Sequence, residues 1–290
     1  MNSSGRSALA GRRVLITGAA RGIGAALAIR LHQRGARVAL MGLEPELLEG
    51  VAAGIGSAPW RCCDVADHVA VEEAVAALVA ELDGLDVVVA NAGIAKQLPL
   101  IGGRPDVLAQ TLRVNVMGTY HTLRATGPHI SHSQGYALPI ASLGAAINLP
   151  LMGAYSASKA AVEVLGNTLR TELRHTGARV GVGYFAELDT DMTSRGFGTR
   201  AAAKLTGGGS YSRLTPLSAG IDALERGIAR RSRRVVAPWW VAPLLPVRMA
   251  AQRVIEIALP GGLEEALRIA REEDIPFTTA QPEMRGDSQL

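Results

Sequence analysis

Three residues carry the clearest chemical information in the sequence: Ser142, Tyr155 and Lys159. The residues after Tyr155 are typical of a helix, and a spacing of four puts the phenol and the ammonium on one helical face. A fixed positive charge favours the phenolate, so Lys159 is expected to lower the tyrosine pKa from its usual value of about 10. Ser142 would hold the reacting oxygen. This set could exchange a proton with an alcohol or a carbonyl group.

Tyrosine and lysine four apart also occur by chance on many helices, so the elements that position them must be considered. Residues 12–17 form an apolar, β-branched run that is typical of a buried parallel strand. Gly18, Gly22 and Gly24 follow, and an Ala- and Leu-rich helix comes next. Glycines at such a junction let the backbone approach a diphosphate, which the helix N-terminus attracts. The junction predicts dinucleotide binding; a plain glycine turn is the alternative.

Strand-like and helical segments alternate along most of the chain. Further strands are expected at residues 37–41, 58–65, 85–93, 179–184 and 234–237. The sequence therefore predicts an α/β fold: a Rossmann-type, doubly wound parallel sheet of about seven strands, with helices on both faces and a C-terminal extension. Ligands of such sheets bind at the carboxyl ends of the strands.

The end of the second predicted strand bears on the choice of cofactor. An acid at this position would bond the adenosine ribose of NAD and repel the 2′-phosphate of NADP. Gly42 stands there instead, and Arg21 in the glycine turn is a candidate phosphate partner. Glu44 comes two residues later, where it can simply open the next helix. The sequence therefore favours NADP(H), with NAD(H) as the alternative.

Over residues 12–192 the sequence resembles the short-chain dehydrogenase/reductases. The motifs that carry this resemblance are Thr17-Gly18-Ala19-Ala20-Arg21-Gly22-Ile23-Gly24, Asp64-Val65, Asn91-Ala92-Gly93, Asn115, and Ser142 with Tyr155 and Lys159. The resemblance implies a cofactor turn for the first motif, an adenine contact for the second and a sheet-stabilising role for the third. It also implies that Asn115 holds a water of the proton relay and that Lys159 binds the nicotinamide ribose.

The chain departs from the family pattern after the sixth predicted strand, where Phe185 and Ala186 replace the usual Pro-Gly. This change affects the local turn and the nicotinamide-side wall of the pocket. Thr190 still matches the family residue near the nicotinamide and diphosphate. The predicted catalytic residues are Asn115, Ser142, Tyr155 and Lys159. The predicted cofactor-binding residues are Gly18, Arg21, Gly22, Ile23, Gly24, Asp64, Val65, Asn91, Ala92, Gly93, Tyr155, Lys159, Leu188 and Thr190.

The expected organisation is one catalytic domain over residues 1–237, an apolar helical extension over 238–260 and a flexible tail over 261–290. A mobile substrate lid is expected around 192–211, where the glycines suit a hinge or a simple linker. The extension contains Trp239 and Trp240 between basic and proline-rich stretches. We expect it to pack on the domain, on a second subunit or on a membrane surface, and we favour a twofold dimer.

Composition limits the classes of partner. Of the 290 residues, 48% are hydrophobic and only 4% are aromatic, so the chain can form a core but has few platforms for stacking bases. The net charge is +4, and the dense basic run at 226–234 is typical of a solvated helix end. We therefore expect no nucleic-acid partner.

The cysteines and histidines predict neither a disulfide framework nor a metal site. Cys62 and Cys63 are adjacent and are the only cysteines, which favours a reducing compartment, the cytoplasm. His129 and His132 lie three apart but lack partner acids or cysteines at metal-ligand spacing. The N-terminus lacks the pattern of a signal peptide, and no apolar run reaches the roughly 20 residues of a membrane span.

The sequence thus predicts an enzyme that moves a hydride between a nicotinamide cofactor and a ketone, aldehyde or secondary alcohol. An apolar substrate pocket is suggested by Leu98, Leu149, Leu151 and Met152, together with the expected lid at 192–211. A non-catalytic nucleotide-binding sensor or scaffold is one alternative, although it would not need the catalytic side chains. A methyltransferase that uses S-adenosylmethionine is another, and it would have no use for the Tyr155 and Lys159 pair.

Overall fold

The computed structural model describes residues 8–208, 211–258, 261–273, 275–277 and 279–282 of the chain. Its eight strands all pair in parallel. They are β1 (Arg13–Thr17), β2 (Arg37–Gly42), β3 (Trp60–Cys62), β4 (Val87–Ala90), β5 (Tyr136–Pro139), β6 (Arg179–Val180), β7 (Val182–Phe185) and β8 (Arg234–Ala237). Six form one sheet in the order β3-β2-β1-β4-β5-β6, and β7 pairs with β8.

The described part of the chain contains eleven α-helices. They are α1 (Gly22–Gln33), α2 (Pro45–Ala53), α3 (His68–Leu82), α4 (Pro105–Leu112), α5 (Gly118–Ile130), α6 (Gly153–Glu172), α7 (Arg200–Thr206), α8 (Leu217–Arg230), α9 (Val241–Leu244), α10 (Arg248–Ala258) and α11 (Leu263–Glu272). Helices α1 and α8 cover one face of the sheet, while α3 and α5 cover the other. The predicted doubly wound α/β fold is confirmed, and β1 and β4 are apolar and buried as expected of central strands.

The predicted sixth strand is divided at Gly181 into β6 and β7. A Cβ at Gly181 would collide with the hydroxyl of Tyr136, so a residue without a side chain fits best here. The amide of Gly181 still donates to the carbonyl of Ala137, at 2.9 Å. The chain therefore keeps its direction across the break, and the predicted count of about seven strands becomes eight.

The segment expected to be a glycine-hinged lid is largely helical. Residues Met192–Phe197 form a π-helical turn, and α7 follows directly. Gly207 ends α7 in the left-handed conformation, which favours glycine. Gly209, part of the expected hinge, lies outside the described residues.

Within the flexible tail that was expected from residue 261 onward, residues 263–272 form α11. Ala266 and Ile269 are buried against Ala201 and Leu205 of α7. Apolar residues three apart give α11 a face that this contact covers. Residues 283–290 lie outside the described part of the chain.

The extension after β8 is divided between packed and exposed side chains. Val241 is fully buried, and Trp240 packs partly buried beside it. Trp239 is 81% exposed, and α10 has no buried residue. None of the helices in the described ranges combines the length and the apolarity needed to cross a bilayer.

Candidate active site

Tyr155 and Lys159 lie in the first turns of α6, as predicted, and both are buried. The Nζ atom of Lys159 lies 5.7 Å from the centroid of the Tyr155 ring. It donates a hydrogen bond to the carbonyl of Ile140, at 2.9 Å. Because Ile140 directly follows β5, a strand end and a helix together fix the ammonium beside the phenol.

Ser142 also follows β5 and precedes a short 3₁₀ turn, Leu143–Ala145. Its Oγ accepts from the amide of Gly144 at 3.0 Å and contacts the carbonyl oxygen of Phe185 at 3.4 Å. The hydroxyl also hydrogen-bonds Tyr155. The two hydroxyl groups therefore meet, and an oxygen atom held between them would contact both.

Burial, rather than charge, dominates the titration of this pair. Burial raises the pKa of Tyr155, and the hydrogen bond from Ser142 offsets part of that rise. Burial also lowers the pKa of Lys159 to about 8. The pKa of Tyr155 therefore shifts in the opposite direction to the one expected from the sequence, because desolvation is the largest cause of its shift. At pH 7 the phenol is protonated and the ammonium is still largely charged, so Tyr155 is set to donate a proton.

Asn115 is fully buried in a π-helical turn, Arg113–Met117, between α4 and α5. Its Oδ1 accepts from the amide of Ile94 at 2.8 Å, while its Nδ2 donates to the Ile94 carbonyl and to Ser158 Oγ, both at 2.9 Å. Ser158 in turn donates to the carbonyl of Tyr155, at 2.7 Å. Asn115 thus links the loop after β4 to the helix that carries the phenol.

The glycine turn between β1 and α1 has the form of an anion cradle. Gly18 and Gly22 have φ values of +63° and +55°, which favour glycine. A Cβ at Gly18 would lie 2.8 Å from the Cα of Ala92, and one at Gly24 would collide with the Gly18 carbonyl. No side chain caps the N-terminus of α1. Its first amide groups can therefore bind a diphosphate.

Thr17 and Asn91 hold this turn against the neighbouring strand. Asn91 Nδ2 donates to the carbonyls of Thr17 and Gly18, at 3.0 and 3.2 Å. Thr17 Oγ1 accepts from the amides of Asn91 and Ala92, both at 3.1 Å. The ends of β1 and β4 are thereby locked together at the point where the cradle opens.

These features line one cleft at the carboxyl edge of the sheet, with a cavity volume of about 370 Å³. That volume is in the usual range for ligand pockets. The predicted residues that line it are Gly18, Arg21, Gly22, Ile23, Asp64, Val65, Asn91, Ala92, Gly93, Ser142, Tyr155, Lys159, Leu188 and Thr190. Gly24 and Asn115 support the cleft from behind through the contacts described above.

The guanidinium of Arg21, which lines the cleft, is paired with acidic side chains. Its Nε donates to Glu44 Oε2 at 2.9 Å, and its Nη1 lies 3.1 Å from Asp191 Oδ2. The hydrogen bond to Glu44 raises the pKa of Arg21. Glu44 does precede α2, as expected, but its carboxylate turns to Arg21 and makes no cap hydrogen bond. The candidate phosphate partner is therefore already paired with two acids.

The substrate end of the cleft is lined by part of the segment expected to be a lid and by residues that the sequence did not indicate. The ring of Phe197 lies edge-on to that of Tyr155, with centroids 5.6 Å apart. Leu149 and Met152 line the cleft as expected, whereas Leu98 and Leu151 pack elsewhere. Residues from the C-terminal part of the chain that line the cleft are Trp240, Leu244, Ile255, Thr279 and Gln281. No motif could have revealed these residues, because remote segments bring them together.

No metal centre supplements these groups in the described ranges, where no cluster of three or more His, Cys, Asp or Glu side chains could hold an ion. Cys62 and Cys63 are both free thiols.

Comparison with known proteins agrees with this geometry. The family model described as short chain dehydrogenase matches residues 12–200. An uncharacterized oxidoreductase of Myxococcus xanthus is 34% identical over 250 residues, which cover 82% of this chain and 91% of that protein. A gluconate 5-dehydrogenase of Gluconobacter oxydans is 32% identical over 195 residues, covering 64% and 75% of the two chains.

A D-threitol dehydrogenase of Mycolicibacterium smegmatis is 36% identical over 177 residues, covering 59% of this chain and 68% of that protein. Among solved structures, a short chain dehydrogenase/reductase from Burkholderia phymatum in complex with NAD superposes with a TM-score of 0.73. It covers 87% of this chain and 96% of its own, at 21% identity. At that identity the likeness concerns the fold.

Proposed function

The chain belongs to the short-chain dehydrogenase family, and from that premise we propose that it interconverts ketones and secondary alcohols that carry apolar substituents. It is a nicotinamide-dependent oxidoreductase that acts on CH–OH or C=O groups. The observation that carries the proposal is the meeting of Tyr155, Ser142 and Lys159 in the cleft that the glycine cradle opens into. A sensor or scaffold would have no need for these three groups together.

In carbonyl reduction, Tyr155 donates its proton to the oxygen that becomes the alcohol, while Ser142 hydrogen-bonds the same oxygen. A nicotinamide cofactor, when bound, supplies the hydride to the substrate carbon. The donation leaves a phenolate, which the Lys159 ammonium stabilises. In alcohol oxidation Tyr155 takes the hydroxyl proton instead. Asn115 acts as a positioning residue through Ser158 and α6.

The residues present fit a dinucleotide. The cradle around Gly18 and Gly22 would take the diphosphate, since it combines positive φ values with an uncapped helix N-terminus. Asp64 and Val65 would contact the adenine. Lys159 would bind the nicotinamide ribose. These assignments follow the family resemblance and agree with the lining of the cleft.

For the cofactor we propose NAD(H) in preference to NADP(H), which replaces the preference drawn from the sequence. Glu44 lines the cleft and neutralises Arg21, so a 2′-phosphate would meet a carboxylate and a guanidinium that is already paired. Asp191 adds a second negative charge. NAD carries a 2′-hydroxyl, to which the Glu44 carboxylate can serve as an acceptor.

For the substrate, the lining of the cleft near Tyr155 is apolar. Leu149, Met152 and Phe197 surround the phenol, and Trp240 and Ile255 add apolar area from the extension. The relatives named D-threitol dehydrogenase and gluconate 5-dehydrogenase support an alcohol as the reacting group. The apolar walls favour a ketone or secondary alcohol with hydrocarbon substituents.

The test is a screen of ketones and secondary alcohols of graded size and polarity, with NADH or NAD followed by absorbance. Turnover that increases with apolar substituents supports the proposal. Tyr155→Phe serves as the blank for contaminating activity. Cofactor binding without turnover on any substrate would contradict the enzymatic reading and favour the sensor.

We also propose a twofold dimer formed through the outer face of α10. Val254 and Ile257 lie three apart on one side of this helix, Val247 lies in the turn just before it, and all three are exposed. The cations of α10, Arg248 and Arg253, lie 3.0 and 3.9 Å from carboxylate oxygens of Glu163 and Glu256. Because acids accompany these cations, the apolar face favours a protein partner over anionic lipid.

A further inference from the structure

Helix α11 is tied to the lid helix α7 by charge and by capping. Lys204 Nζ lies 2.6 Å from Glu265 Oε2. The carboxylate of Glu273 accepts from the amides of Arg200 and Ala201, at 3.1 and 3.2 Å. These amides belong to the first turn of α7, where no intrahelical acceptor is available. Glu273 therefore caps α7 from the far end of α11.

An apolar interface reinforces this link. Ala201 and Leu205 of α7 pack against Ala266 and Ile269 of α11, and all four are buried. Leu151, from the loop before α6, belongs to the same cluster. The buried apolar contact, the Lys204–Glu265 ion pair and the Glu273 cap together join α7 and α11 into a single packing unit.

The last turn of α11 and the chain after it are anchored to the catalytic domain. Arg271 Nε donates to the carbonyl of Ile101, at 3.2 Å. Phe277 packs against Leu98 and Val107, while Lys96 Nζ lies 5.6 Å above its ring. These partners belong to α4 and to the loop after β4, and the first residues of that loop, 91–94, line the cleft. The anchor thus fixes the packing unit relative to the catalytic residues.

Gln281 brings the end of the described chain to the cleft itself. Its Oε1 accepts from Gln110 Nε2 at 3.1 Å, and its Nε2 donates to the carbonyl of Thr279 at 2.9 Å. Gln110 is buried, so this bond is shielded from water. Both Thr279 and Gln281 line the cleft.

The position of α7 determines where Phe197 lies. Phe197 is three residues before α7, and its carbonyl accepts from Gln97 Nε2 at 3.1 Å. Thr199, which caps α7 through a 2.9 Å bond from Ala202, also hydrogen-bonds Gln97. A shift of α7 would therefore move the ring that lies edge-on to Tyr155.

We propose that Glu273 and Phe277 are positioning residues of the substrate site: Glu273 holds α7 to α11, and Phe277 holds both to the catalytic domain. Together they keep Phe197 against Tyr155 and limit the size of the ketone or alcohol that is accepted. The proposal deepens, and in its substrate part rests on, the proposed function. It assigns the control of substrate size to a segment beyond the 12–200 region that matches the family.

The experiment uses the full-length variants Glu273→Gln and Phe277→Ala. Glu264→Gln is the matched charge control, since Glu264 is exposed on the same helix, and Val69→Ala is the apolar control, since Val69 is exposed on α3. Phe277→Leu tests rescue by a similar volume. Hydrogen exchange of peptides within residues 198–208 reports on α7 without needing any substrate. Nicotinamide fluorescence gives the Kd for NADH.

We expect exchange in α7 to rise roughly fivefold in both variants, as loss of a cap or an anchor implies, with the Kd for NADH unchanged. KM for a compact ketone should rise while kcat is retained. The kcat/KM for bulkier ketones should increase relative to that for the compact ketone. Phe277→Leu should restore both properties. Unchanged exchange in both variants would overturn the proposal, as would a parallel loss of NADH binding, which marks general unfolding. If the wild type turned over no ketone, the proposed function would fail, and the exchange measurement would still decide this proposal.

Discussion

The two halves of the cleft are built by different means. In the cofactor half, backbone groups form the surface: the Gly18 turn, the N-terminus of α1 and the ends of β1 and β4, locked by Thr17 and Asn91. In the substrate half, side chains form the surface, and they come from the π-helical turn before α7, from the extension and from the end of the chain. The first half depends on positions where a Cβ does not fit, and the second on contacts between remote segments.

This difference predicts how the halves respond to substitution. A side chain added at Gly24 would displace the turn itself, because the Gly18 carbonyl stands in its way. Leu149, Met152 or Phe197 can change shape without altering a hydrogen bond of their own side chains. Cofactor binding should therefore be intolerant of change, whereas substrate choice should be adjustable.

Tyr155 lies where the cofactor half of the cleft meets the substrate half. Of the substitutions considered, Tyr155→Phe should have the largest effect on turnover. It removes the proton donor and keeps the ring against Phe197, so kcat should fall by about 10² to 10⁴ while the Kd for NADH stays within about twofold. Stopped-flow turnover and nicotinamide fluorescence measure the two quantities. Tyr120→Phe is the control, because Tyr120 is exposed on α5. A kcat near that of the wild type would remove Tyr155 from the mechanism.

Lys159 should make the folding stability vary with pH in the alkaline range. Its pKa of about 8 in the folded chain lies below the ordinary value of 10.5, so the unfolded chain binds more protons between these values. The contribution of Lys159 to the free energy of unfolding should then rise with pH from 8 to 10.5, by up to roughly 3 kcal/mol at about 1.4 kcal/mol per pKa unit, whereas Cys63 and Tyr155, whose pKa values burial raises, contribute with the opposite sign. Urea denaturation at a series of pH values measures it. Lys159→Met should lose this slope, and equal slopes in the two proteins would contradict the assignment.

Glu44→Gln should shift cofactor preference within the cofactor half. It frees Arg21 from one carboxylate, so the affinity for NADPH relative to NADH should rise about tenfold, an effect on the order of 1.4 kcal/mol. Glu46→Gln, an exposed acid in the first turn of α2, is the control. Gly42→Asp should shift the ratio the other way, since a Cβ at Gly42 meets Leu48 at an ordinary 3.4 Å. A ratio that stayed constant across these variants would place the adenosine ribose elsewhere.

Ile257→Glu should have the smallest effect on the chemistry. Ile257 is 77% exposed on the outer face of α10, so the charge should weaken the proposed dimer and leave kcat unchanged. Light scattering over a concentration series measures the mass of both proteins. Ile257→Leu should behave as the wild type. A wild-type protein that is monomeric at all concentrations would refute the dimer.

The contrast between the halves also explains what the sequence could predict. Tyr155 and Lys159 lie four apart on one helix and Gly18 belongs to a local turn, so short spacings indicated these features, while the family resemblance joined them with Ser142 into one site. Gln281 could not be predicted, because it reaches the cleft through tertiary contacts; the Gln110 to Gln281 bond spans 171 positions. Local geometry is encoded in short spacings, and remote packing is not.

Properties that depend on burial escaped the sequence for a related reason. The sequence shows the charge of Lys159. The desolvation that raises the pKa of Tyr155 depends instead on all the residues that pack around Tyr155. The carboxylate of Glu44 was likewise noted only as a helix opener, since its pairing with Arg21 depends on how β2 and the glycine turn approach each other. The division of the sixth strand at Gly181 arises from contact with Tyr136 on a neighbouring strand.

The most direct test of the central claim, that this cleft binds a nicotinamide cofactor against Tyr155, is a titration of the full-length protein with NADH and with NADPH, followed by nicotinamide fluorescence. The account predicts saturable binding at one site per chain, tighter for NADH than for NADPH, and no displacement by S-adenosylmethionine. If the fluorescence of neither NADH nor NADPH changed at any protein concentration, the central claim would be contradicted.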